Sequence, residues 1–161
     1  NPCPCGYYGD EHSTGRCTLT KVANYLQRLS GPLIDRIDLQ VAVQRPCAAA
    51  LMSPKTGEST QHALQWILTA QESQLKRSGQ LNGLLSASML MTCTALKSSE
   101  EQLLANAIAN LKLSPRGVHK VLRVARTIAD LETAENIQKN HLLEALSYRR
   151  LDMLSMETQQ T

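Results

Sequence analysis

The sequence has no phenylalanine, and aromatic residues make up only 3% of its 161 positions. Any core must therefore be aliphatic, and the abundance of Leu and Ala turns it toward helices rather than sheet. No apolar run approaches the roughly 18 residues of a membrane span, and no signal-peptide pattern is present. No Gly-x-x-x-x-Gly-Lys-Ser/Thr phosphate loop occurs, and no acidic strand end stands ready to hold magnesium. The chain alone is thus expected neither to bind ATP tightly nor to hydrolyse it, and to carry no cofactor. No Ser/His/Asp or Cys/His constellation stands out. His62, His119 and His141 fall within helical patterns, where packing or solvent is their expected surrounding. A net charge of +3 is too small to argue for nucleic acid on electrostatics alone. The cysteines, Cys3, Cys5, Cys17, Cys47 and Cys93, are odd in number and irregular in spacing. That excludes a secreted disulfide framework and fits a reducing cytoplasm. The chain opens on Asn rather than Met, so it reads as a fragment of a longer protein.

What is present is mainly helical. Residues 1–17 are rich in Gly, Pro, Cys and His and carry no periodicity, which reads as a loop. Thr18 is a fitting N-cap for a helix to about Leu29, with Val22, Leu26 and Leu29 on one face. Gly31-Pro32 marks a turn. Ile37, Leu39, Val41 and Val43 then alternate with Asp38, Gln40 and Gln44, the pattern of a half-buried strand. Residues 46–60 read as a linker. A long helix is predicted from about Thr60 to Arg77, stopped by Ser78-Gly79, with an apolar stripe wide enough for contacts on more than one side. A short helix near Ser86–Met91 follows. Three further helices are predicted, one opening at Ser98 or Ser99, one at Ser114-Pro115, and one spanning about Lys139–Leu151. These three should form a compact bundle. The chain contains no internal repeat.

The most informative stretch is Ser30 to Leu39, where Arg36 stands between Asp35 and Asp38 at the lip of the predicted strand. A surface ion pair there is worth only about 0–1 kcal/mol. A guanidinium aimed at a phosphate is the sharper alternative, because its planar fork suits that geometry. Three segments settle the context: Leu33-Ile34-Asp35-Arg36-Ile37-Asp38-Leu39, Asn1-Pro2-Cys3-Pro4-Cys5-Gly6-Tyr7 upstream, and Val121 through Leu131 with its Arg126-Thr127-Ile128-Ala129-Asp130 core. In this order, over nearly the whole chain, they closely resemble the magnesium-chelatase-like AAA+ ATPases of the ComM/YifB type.

The resemblance implies a mainly α fold, a helical lid bundle with a remnant (one helix, one strand) of the α/β nucleotide-binding domain. It divides the chain into 1–45 as the tail of the core, 46–80 as linker and connecting helix, 81–154 as lid, and 155–161 as a disordered tail. It implies that Arg36 is an arginine finger acting in trans on a neighbour's nucleotide, with Asp35 and Asp38 as orienting partners. Arg116, at a helix N-terminus that already favours anions, becomes the lid arginine that senses the γ-phosphate, sensor 2. Asn1 becomes sensor 1, a polar residue that orients the attacking water. ATP and Mg2+ are implied for the full-length protein, as are a ring homo-oligomer, a hexamer, and DNA remodelling of the kind that drives branch migration in natural transformation. A chelatase motor subunit, or a helical interaction module without catalytic duty, are the alternatives. Lys120, Arg123 and Arg126 continue a basic face, which reads as solvent-facing or paired within the bundle.

Cys3, Cys5 and Cys17, with His12, offer four side chains of zinc-ligand type. The Cys-x-Cys spacing is tighter than the usual gap of about two to four residues. The resemblance implies a second cysteine pair in some relatives, and Gly15 stands here in place of the partner of Cys17. Plain loop thiols are the competing reading. Cys47 and Cys93 are isolated and read as inert fillers.

Overall fold

Residues 3–8, 15–28, 33, 35–41, 43, 46, 51–52 and 57–149 are described by the computed structural model of the chain. They fall into two units, Asn1–Lys55 with Arg149–Thr161, and Thr56–Tyr148. Asn1, His12, Cys47 and the tail at 155–161 lie outside the described residues.

In the first unit, helix α1 (Leu19–Leu26) begins where Thr18 leaves the helical conformation and its hydroxyl accepts from the Lys21 N–H at 3.4 Å. Val22 is fully buried. Ahead of it, the Gly6 N–H donates to the Cys3 carbonyl at 3.1 Å, closing a turn that puts Gly6 at φ 79, a value glycine reaches without steric cost. The strand expected from Ile37 onward is reduced, among the described residues, to one parallel bridge between Gln40 and Arg149. Its apolar face is not covered: Leu39 and Val41 are exposed, whereas Gln40 is buried. Alternation specifies a strand only where a neighbour fills the ladder and the apolar face, and a lone strand is marginal.

The second unit is a helical assembly. Helix α2 (Thr60–Ser78) is capped by Ser59, whose hydroxyl accepts from the His62 N–H at 3.2 Å, and ends at Gly79 in the left-handed region, φ 73. A 3-10 turn (Asn82–Leu84) leads to α3 (Ala87–Cys93), where Ser86 is the cap. Helix α4 (Ser98–Leu111) starts at Ser98 as expected, with Lys97 at the cap position making no side-chain hydrogen bond. Ser99 Oγ donates to Glu100 Oε2 at 2.8 Å. Helix α5 (Pro115–Leu131) has Ser114 as cap, accepting from the Gly117 N–H at 3.0 Å, and proline at its first position as expected. Helix α6 (Lys139–Ser147) starts with a reciprocal cap in which Gln138 and His141 serve each other's backbone N–H groups.

Helix α5 is the axis of this unit. Val121, Leu122, Ala125, Ile128 and Ala129 form a continuous buried stripe that packs against Leu90 of α3, Leu104 of α4, and Leu142, Ala145 and Leu146 of α6. Burying each such aliphatic side chain is worth about 1.5–3 kcal/mol. Leu143 is half exposed because it lies about 100° round the helix from the buried Leu142. Helix α2 also departs from expectation. Ala70 and Gln74 are its buried residues, while Leu64, Trp66, Ile67, Leu68 and Leu75 remain exposed, so the second contact side is not found among the described residues. No helix among them is long and apolar enough to cross a membrane.

Candidate functional site

Arg36 is exposed, and the residues on either side of it are held. Its backbone N–H donates to the Leu33 carbonyl at 3.0 Å, closing a turn. Arg149, with a side chain only 3% exposed, donates through Nη1 to the Ile37 carbonyl at 3.1 Å and through Nη2 to Asp35 Oδ1 at 3.4 Å. One buried guanidinium thus grips positions 35 and 37 and leaves the side chain between them turned to solvent. Asp35 is engaged by this residue from the far end of the chain. Sequence spacing carries no signal for Arg149, which is 112 residues from Ile37.

Arg116 is exposed on the first turn of α5, next to the Ser114 cap. The dipole of that helix end favours an anion, and the guanidinium adds a formal charge. Arg36 and Arg116 belong to different units.

The basic face expected along α5 is used internally. Arg126 is buried; its Nη1 donates to the Glu135 carbonyl at 2.9 Å, its Nη2 to the Ala134 carbonyl at 2.6 Å, and its Nε to Asp130 Oδ1 at 3.2 Å. Arg77 of α2 meets the same carboxylate with two bonds, 2.6 Å to Oδ1 and 2.9 Å to Oδ2. Asn82 donates to Asp130 Oδ2 at 2.9 Å and accepts from Arg77 Nη2 at 2.8 Å. Asp130 therefore ties α2, the 3-10 turn and the α5–α6 loop to one point. Burial pushes the Arg126 guanidinium down from its ordinary value against the pull of Asp130, whereas the hydrogen bonds that Arg77 donates to Asp130 hold it up. Arg123 donates to the Leu85 carbonyl at 2.8 Å, and Lys120 is buried. The segment 126–130 that carries the family resemblance is thus a structural knot.

His141, buried, accepts the Gln138 N–H at Nδ1 and meets Glu132 at Nε2, both at 3.0 Å, so it packs as expected. A ring that accepts at Nδ1 carries its proton at Nε2, facing the carboxylate.

The cysteines of the first unit come together. Cys5 Sγ lies 3.2 Å from both Cys3 Sγ and Cys17 Sγ, and all three sulfurs are within 4.8 Å of one another. Cys3 is fully buried and the other two partly so. The Tyr7 backbone and then the Cys17 thiol stabilise the Cys5 thiolate and lower its pKa to about 6, while the hydrogen bond to Cys5 pushes Cys17 up.

A family model described as magnesium chelatase, subunit ChlI C-terminal, matches residues 57–149, and one described as magnesium chelatase, subunit ChlI, matches residues 1–51. The chain is 38% identical over 160 residues to the protein YifB of Escherichia coli K12, covering 99% of this chain and 31% of that protein. It is 35% identical over 152 residues to the competence protein ComM of Haemophilus influenzae, covering 94% of this chain and 30% of that protein. It is 34% identical over 154 residues to Rv2897c of Mycobacterium tuberculosis, covering 93% and 30%. The chain spans under a third of the length of these relatives, and the match that takes in the α5 core and its Arg126–Asp130 knot places it in the family of the magnesium chelatase subunit ChlI C-terminal domain.

Proposed function

We propose that this chain is the arginine-finger and lid portion of an AAA+ ATPase that, in the intact protein, couples ATP hydrolysis to the remodelling of DNA. The reading rests on one observation above the others: Arg36 is exposed between two neighbours fixed by a buried arginine. A guanidinium presented in this way from a held turn can neutralise charge on a phosphoryl group brought by another subunit, with little reorganisation. In a ring, a hexamer by this proposal, each Arg36 serves the nucleotide of the next copy. Arg116 serves its own lid side as sensor 2, where a helix N-terminus and an exposed guanidinium converge. Asn1 is proposed as sensor 1 by its motif alone. No residue of this chain is assigned to magnesium. The triphosphate cradle and its Mg2+ are proposed for the part of the intact protein outside this chain, which spans under a third of its relatives' length.

DNA is favoured as the remodelled partner because the Haemophilus relative is named a competence protein. The second reading, a motor subunit for metal insertion, is favoured by the chelatase description of both matched families. An ATPase assay on the intact protein, with and without branched DNA, separates them. The DNA reading expects turnover to rise several-fold on adding DNA. Hydrolysis indifferent to DNA moves the assignment to the chelatase class. An intact protein without hydrolysis under either condition overturns both.

A further inference from the structure

We propose that Cys3, Cys5 and Cys17 form a three-thiolate site for zinc. The local fold explains how so tight a spacing can work. The turn closed by the Gly6 N–H on the Cys3 carbonyl brings Cys3 and Cys5 to one side of the loop. Cys17 immediately precedes Thr18, the cap of α1, so its backbone is fixed by the start of a helix. The result is a cluster that joins the loop to the helix through sulfur alone.

The distances discriminate between the fates open to such thiols. A zinc ion about 2.3 Å from each sulfur in tetrahedral geometry sets the sulfurs about 3.8 Å apart. The observed 3.2 Å contacts need to open by roughly half an ångström to admit it. A disulfide requires about 2.05 Å, so either pair would have to close by roughly twice as much, and the third thiol would be left over. The donor set also selects the ion. Three sulfurs and no oxygen suit soft or borderline metals and exclude magnesium and calcium. An iron–sulfur cluster calls for about four cysteine ligands, one more than are gathered among the described residues, whereas zinc can take three protein ligands with water in the fourth tetrahedral position. Zinc asks for no redox partner and accepts the tetrahedral corner arrangement. Binding forms three Zn–S bonds and releases to solvent the protons of whichever thiols still hold them, with no change of oxidation state. The ion would clip the loop at Cys3–Gly6 onto the first turn of α1, a loop closure otherwise left to hydrogen bonds.

The test is the metal content of the intact protein purified without chelator or histidine tag. The proposal expects about one zinc per chain by elemental analysis, lost in Cys5→Ser and retained in Cys93→Ser, a cysteine of the other unit. Cys5→Ser can fail by unfolding, so the unaltered protein, stripped of metal, is also titrated with cobalt. Thiolate-to-cobalt charge-transfer bands with the visible bands of a tetrahedral site are expected at about one equivalent. Zinc absent from the purified protein together with no thiolate bands overturns the proposal, as does a folded Cys5→Ser variant that keeps its zinc. This readout does not depend on ATP hydrolysis, so it stands or falls separately from the motor assignment.

Discussion

Asp130→Ala is expected to destabilise the helical unit by about 3–5 kcal/mol, the usual cost of removing one partner from a buried ion cluster. The Asp130 side chain is 1% exposed and accepts from Arg77, Asn82 and Arg126. Its removal leaves the Arg126 guanidinium, itself 3% exposed, with only the two loop carbonyls of residues 134 and 135. Arg77 loses both of its carboxylate bonds at once. The charges cannot be shed by titration, because a guanidinium stays protonated at any ordinary pH. The loss is large against a typical total stability of about 5–15 kcal/mol. Breaking the pair of Glu58 and His62, in which both side chains are about half exposed, should by contrast cost under about 1 kcal/mol. Urea unfolding followed by far-ultraviolet circular dichroism checks both. A loss below about 1 kcal/mol for Asp130→Ala would mean that water reaches the two arginines and that the knot is not a structural one.

Local chemistry is what the sequence made readable. Thr18 and Ser114 each announce a helix start through a hydroxyl that accepts a backbone N–H three positions on, and Gly79 announces an end through its left-handed φ. Lys97 announces nothing, since it begins α4 without a side-chain bond. The apolar stripe of α5 follows the 3.6-residue period closely enough to be seen at once. Lys120, Arg123 and Arg126 read as a basic face either solvent-facing or paired within the bundle, and the pairing holds for Arg123 and Arg126. The spacing of Arg126 and Asp130, one helical turn, held half of the answer. The other half, Arg77, lies 53 residues from Asp130 and could be found only in three dimensions. Arg149 and the turn carrying Arg36 are related in the same way. In the cysteine cluster the residue types were legible. The turn at Gly6 that makes their spacing workable was not, since a positive φ leaves no trace in a Gly-rich loop beyond glycine itself.

Arg36→Ala in the intact protein is expected to lower ATP turnover about a thousandfold or more while leaving ATP binding nearly unchanged. The separation of the two effects follows from where the charge is needed. A finger from a neighbouring subunit contributes mainly as negative charge shifts on the phosphoryl oxygens, so its loss appears in kcat rather than in KM. Arg116→Ala should show the opposite balance, because a guanidinium at the lid helix end meets the γ-phosphate already in the bound state. Arg36→Lys should recover only part of the lost rate, since an ammonium restores charge without the planar two-pronged geometry. A purely structural Arg36 would behave differently. It is exposed and its backbone bond to Leu33 survives any side-chain change, so Arg36→Ala should then cost almost no stability and no rate. Single-turnover measurements with saturating ATP, alongside nucleotide-binding titrations, distinguish these outcomes. Turnover equal to that of the unaltered protein would remove Arg36 from the mechanism and leave the Arg149 clamp with only a scaffolding role.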